Sequence, residues 1–163
     1  MTPEQEQVED RRFRAAVAGS LKAVLAFEAY LKRKGYETIV TEVKMRTRVG
    51  EKGVYSDGED LLARKPGEDR WRRFEIKGRT LTFTSCADFP FPTIIADHAN
   101  KTFEPPDWYV NVSKDLKYAA VMDGKLRDQW TVSHIEDTTK RTAASNPSLM
   151  CPKEQARFVR IAE

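Results

Sequence analysis

From about Glu6 to Lys34, apolar residues recur along one helical face: Phe13, Val17, Leu21, Val24 and Leu31 are spaced in helical steps, and Gly35 stands ready to end the run. One long amphipathic helix is expected. Glu28 falls near the middle of the same stripe, because Val17, Leu21, Val24, Glu28 and Leu31 follow steps of four and three. A carboxylate there either belongs to a site, snorkels to solvent at the edge of the stripe, or pairs with a buried arginine.

Beyond Gly35 the period shortens. Thr38 to Thr47 is rich in β-branched residues and reads as a strand, and the glycine-containing VGEKGVYSDGED after it reads as a loop. Asp60 to Ala63 predicts a short strand, KPGED a tight turn, and Trp71 to Lys77 the antiparallel return, with a continuation through Leu81 to Phe83. After the proline-flanked FPFPT, Ile94 to Lys101 reads as a short helix. Trp108 to Val112 and Tyr118 to Met122 predict two more strands, and Gln129 to Ile135 a third. Asp137 to Pro152 is polar and turn-rich, and Ala156 to Ile161 closes the chain as an edge strand or short helix.

The 163 residues, 40% hydrophobic and 33% charged, suit one domain over residues 1–163, with a core over about 8–123 and a C-terminal extension over about 124–163. No apolar run approaches the roughly 20 residues that span a bilayer. The acidic start MTPEQEQVED also lacks the basic end and apolar segment of a signal peptide, so no membrane partner and a cytoplasmic location are expected. Cys86 and Cys151 form no CxxC and no zinc spacing, which leaves them as buried or idle thiols. The net charge of +3 is small but unevenly placed: Arg64, Lys65, Arg70, Arg72, Arg73, Lys77 and Arg79 crowd one stretch, which favours a polyanionic substrate.

That stretch contains WRRFEIKGR. Strand side chains alternate faces, so Glu75 and Lys77 project together while Phe74 and Ile76 point oppositely into packing. A carboxylate and an amine side by side, with Asp60 opening the strand before them, suit phosphodiester hydrolysis. The spacing alone is cheap: Glu42 with Lys44, Asp115 with Lys117 and Asp123 with Lys125 repeat it. Asp123-Gly124-Lys125 reads as a hairpin turn, and Glu42 has no acidic strand before it. His98 is read as an ordinary hydrogen-bonding residue. For Trp71, Trp108, Tyr109 and Trp130, core packing outweighs base stacking.

The order α, three strands, helix, strand, with an acidic residue opening the second strand and Glu-x-Lys on the third, resembles the PD-(D/E)xK superfamily of restriction-endonuclease-like nucleases. The resemblance runs from the first helix to about Met122, with Gly58-Glu59-Asp60 standing where the family name has Pro-Asp. Pro106-Asp107 followed by Asp115-Leu116-Lys117 spells the literal pattern, but in a turn, where geometry is held less well. The resemblance implies an α/β fold with an αβββαβ core, its central mixed β-sheet flanked by helices. It further implies that Asp60, Glu75 and the carbonyl of Ile76 bind Mg2+, with Mn2+ able to substitute, and that Lys77 orients or activates the attacking water. Glu28 would complete the site from the first helix, and Glu59 and Asp57 are fallbacks for Asp60.

The expected activity is that of an endodeoxyribonuclease, hydrolysing DNA phosphodiester bonds through a metal-activated water. Arg72, Arg73, Arg79, Lys101, Lys140 and Arg141 would hold DNA phosphates, and a homodimer would cut both strands. The alternative is a nuclease-like domain that no longer cuts and serves as a nucleic-acid-binding or protein-interaction module.

Overall fold

The computed structural model describes residues 2–41, 60–99, 104–136 and 145–163, with side chains for all of these except 9–10, 12–18, 134–136 and 145–146. Helix α1 spans Pro3–Arg33. Thr2 starts it with a capping box: its hydroxyl accepts from Gln5 N, and the Gln5 side chain accepts from Thr2 N. Gly35, at φ 90°, ends it. There the N–H of Gly35 donates to Lys32 O and that of Tyr36 to Leu31 O, so two late carbonyls of the helix are satisfied.

Nine strands follow among the described residues: β1 (Glu37–Val40), β2 (Leu61–Arg64), β3 (Arg72–Gly78), β4 (Thr93–His98), β5 (Trp108–Val112), β6 (Tyr118–Asp123), β7 (Thr131–Glu136), β8 (Ser145–Pro152) and β9 (Arg157–Arg160). They form a six-stranded sheet in the order β1-β2-β3-β5-β6-β9 and a three-stranded sheet in the order β4-β8-β7. β3 and β5 run parallel, whereas the other pairs in both sheets are antiparallel. The molecule is therefore α/β with a mixed central sheet.

Two cores lie on the two faces of that sheet. On one, Val24, Phe27 and Leu31 of α1 pack on Leu61, Phe74, Ile76, Val110 and Val112. On the other, Tyr109, Ala120 and Met122 meet Ile94 and Ala96 of β4 and Leu149 and Cys151 of β8. Burial of this kind contributes about 25 cal/mol per Å² of apolar surface, so each core holds its layer against the sheet.

The layer under the second face corrects one expectation. Residues 94–101, read as a helix, contain strand β4 instead, and Lys101 lies outside the described residues. Three features favour the strand: Thr93, Ile94 and Ile95 are β-branched, Pro92 fixes an extended entry, and β8 supplies a partner. The large sheet is consequently covered by a helix on one face and a sheet on the other. Its β3 to β5 crossover carries a strand where a helix was expected.

Smaller corrections have local causes. β3 ends at Gly78 without continuing through Leu81 to Phe83; Arg79 N still reaches Val112 O, and Phe83 turns into the second core beside Phe89. Asp123-Gly124-Lys125 is no hairpin: the Asp123 side chain accepts from Lys125 N and caps a 3-10 helix, Gly124–Gln129. The expected first strand ends at Val40, and Glu42, Lys44, Asp57 and Glu59 lie outside the described residues. Within the expected extension, β9 completes the large sheet against β6 and β8 pairs with β4.

Candidate active site

Alternation along β3 sorts its side chains as the sequence predicts. Phe74 and Ile76 enter the helix-side core, so Glu75 and Lys77 face the small sheet. Glu75 is only 6% exposed. Lys77 Nζ stands 3.8 Å from Glu75 Oε1 and 3.2 Å from Oδ1 of Asp97 on β4, itself 3% exposed. Two buried carboxylates from different sheets thus converge on one ammonium. Such a cluster is stable only while charge and hydrogen bonds compensate the desolvation.

Asp97 owes its position to an irregularity. The β4 to β8 register shifts between Ile95 and Asp97, and this bulge lets the consecutive residues Ala96 and Asp97 both turn inward. Asp97 Oδ1 also accepts from His98 N at 2.8 Å, so the carboxylate is anchored on its own strand. On β5, Asn111 lies opposite Lys77 in the parallel register and is fully buried. Its Nδ2 donates to Ile95 O at 3.0 Å and ties the large sheet to β4, while its Oδ1 is buried with no hydrogen-bond partner.

Sequence reasoning missed Asp97 and Asn111. The available signal was a lone polar residue inside an apolar run, TIIADH for one and WYVNV for the other.

Asp60 precedes β2 and is stitched to β3 around Glu75. Its Oδ2 accepts from Ile76 N at 2.8 Å, its own N donates to Phe74 O at 2.9 Å, and its carbonyl accepts from Thr41 N at 3.1 Å. The structure therefore brings Asp60, Glu75, Ile76 and Lys77 together at one stretch of β3. Glu28 stands on the α1 side of the sheet instead, accepting from Thr38 Oγ1 at 2.8 Å with Lys32 Nζ at 3.6 Å. There it fastens the helix to β1. Its place in the apolar stripe is explained by these partners and not by the cluster around Lys77.

The arginines expected to grip phosphate are engaged with the protein. Arg72 pairs with Glu68 at 3.5 Å and Arg73 with Glu104 at 3.6 Å, and their neighbour Arg70 pairs with Asp107. Arg79 is partly buried, which lowers the pKa of its guanidinium. Lys140 and Arg141 lie outside the described residues.

The competing acidic residues have structural duties. Burial alone would raise the pKa of Asp107, but hydrogen bonds from Arg73 N and Arg70 and the two guanidinium charges outweigh it and hold the carboxyl below its usual range. Asp115 is held low chiefly by the Ser113 hydroxyl at 2.5 Å, with Lys117 N at 3.2 Å, around a turn in which Leu116 takes φ 61°. The aromatic residues mostly pack: Tyr109 meets Trp130 edge-on at 5.6 Å, Trp108 borders the helix-side core, and Trp71 lies beneath Arg64 at 4.3 Å.

Chemically, the cluster holds the Lys77 ammonium between the carboxylates of Glu75 and Asp97. No three His, Cys, Asp or Glu side chains stand together as a ready metal-ligating group among the described residues, and no described helix is long and apolar enough to cross a membrane. No known family model, curated protein or solved structure matches the chain.

Proposed function

We propose that this chain is a divalent-cation-dependent nuclease that hydrolyses DNA phosphodiester bonds at Glu75 and Lys77. The observation that carries the reading is the buried Glu75 carboxylate on β3 beside the Lys77 amine, with Asp60 bound to the same strand at Ile76. The sheet order is compatible with the restriction-endonuclease-like core: an antiparallel β1-β2-β3 meander followed by β5 parallel to β3.

The donor set fits Mg2+ or Mn2+. These cations take hard oxygens, commonly one or two carboxylates together with waters and substrate phosphate, and here Glu75 and the Ile76 carbonyl lie on β3 while Asp60, just before β2, is hydrogen-bonded to that strand at Ile76 N. When bound, such an ion stabilises negative charge building on a phosphate and makes nearby water more acidic. The side chains supply orientation. Lys77, about a quarter exposed, directs its ammonium donors to a phosphate oxygen or the attacking water.

A panel of linear, nicked, branched and single-stranded DNA and of RNA, with Mg2+, Mn2+ or chelator, tests the proposal. Cutting of DNA that stops in chelator is expected, and Glu75→Gln should lower the rate by about 100-fold or more while the chain stays folded by circular dichroism. Wild-type cutting by Glu75→Gln would remove the site assignment. A chain that binds DNA but cuts nothing with either ion would instead be the non-cutting module.

A further inference from the structure

We infer that the cation site is closed from the second sheet: Asp97 of β4 is a ligand together with Glu75, and the Asn111 amide oxygen supports the same ion directly or through one water. This deepens the nuclease reading and rests on it. Three observations carry it. Asp97 and Glu75 approach one positive centre, Lys77 Nζ, at 3.2 and 3.8 Å although they come from different sheets.

Asn111 is the independent witness. Its side chain is wholly buried and its Oδ1 receives no hydrogen bond, an arrangement that is ordinarily unfavourable. Its direction is set by its partners: Asn111 lies opposite Lys77 in the sheet, and its Nδ2 reaches Ile95 O, just before Asp97 on β4. The amide thus ties β5 to β4 beside the strand positions of Lys77 and Asp97. An amide oxygen is a hard neutral donor that Mg2+ and Mn2+ accept.

The bulge between Ile95 and Asp97 is the third feature, because without the register shift one of Ala96 and Asp97 would face away from the sheet. A divalent ion held by Glu75 and Asp97 would repel Lys77 Nζ, and the flexible stem of Lys77 would let its ammonium turn outward toward a phosphate oxygen.

Mn2+ titration of the full chain, followed by electron paramagnetic resonance, decides the matter. Glu75→Gln and Asp97→Asn should each weaken Mn2+ binding by about 10-fold or more, whereas Asp128→Asn, which removes an exposed carboxylate, should leave it within about 2-fold. Asn111→Asp supplies a readout that a purely structural amide would not give. It should melt at lower temperature than wild type in chelator and recover with Mn2+; equal melting loss with and without the ion would overturn its role. Wild-type Mn2+ affinity in Asp97→Asn, beside loss in Glu75→Gln, would overturn this inference while leaving the nuclease reading intact. No Mn2+ binding and no cutting by the wild type would overturn both.

Discussion

Asp107 shows how a single side chain can match a motif and yet serve the fold. It accepts from Arg73 N at 2.8 Å and from the Arg70 guanidinium, joining the entry of β5 to the start of β3. Asp107→Ala should therefore cost about 1–3 kcal/mol in urea unfolding at pH 7, with no direct effect on the Lys77 cluster. Because the folded carboxyl has its pKa below the unfolded one, its stabilisation is complete above the unfolded value near 4. It disappears as pH falls through the folded value. The stability gap between wild type and Asp107→Asn should accordingly narrow on acidification; a gap that stays constant as the carboxyl is protonated would contradict the assignment. The two thiols differ in the same physical terms. Burial, with the Glu154 charge adding to it, pushes Cys151 up to about 12, while Cys86 is half-buried. Iodoacetamide should label Cys86 in the native chain and Cys151 only after unfolding, as read by peptide mass spectrometry.

Where elements meet, two glycines permit close approach to different degrees. A Cβ on Gly124 would lie 2.5 Å from Pro106 O and 2.7 Å from Asp107 O, both backbone atoms that cannot turn aside. On Gly78 it would meet Gly19 O at 3.3 Å and Ala23 Cβ at 3.4 Å, where α1 crosses β3. Gly124→Ala should thus lower the melting temperature more than Gly78→Ala, by about 1–3 kcal/mol of added strain. The elements themselves were unequally legible. Helix α1 and strands β3, β5 and β6 could be read because local period, capping and turn residues agree with the tertiary result. β4 could not, because its strand state depends on pairing Ile94 with Cys151, a partner remote in sequence. Its bulge is equally invisible in TIIADH. The pair Glu75 and Lys77 followed from alternation, but Asp97 and Asn111 needed the second sheet to give their burial a meaning. Glu28 was correctly placed near the apolar stripe, yet its partner Thr38 became apparent only when β1 lay beside the helix.

At the scale of the whole molecule, the central sheet joins two layers that never touch the same face, and the proposed chemistry lies on the side closed by β4, β7 and β8. Loosening that layer should disturb the cluster without altering any residue in it. Leu149 on β8 is buried in the second core, and Leu149→Ala should destabilise the chain by about 2–5 kcal/mol. Hydrogen exchange should speed up in β4 more than in β2, which packs on the helix side; uniform acceleration would show that the layers open as one unit. The pairing of β4 with β8 also sets an order of events during synthesis. Glu75, Lys77, Asp97 and Asn111 all leave the ribosome before residues 148–152, the segment that holds β4 in register. A nascent chain halted before that segment carries every residue of the cluster but lacks the strand that aligns Asp97, so the cluster is assembled only once residues 148–152 have emerged.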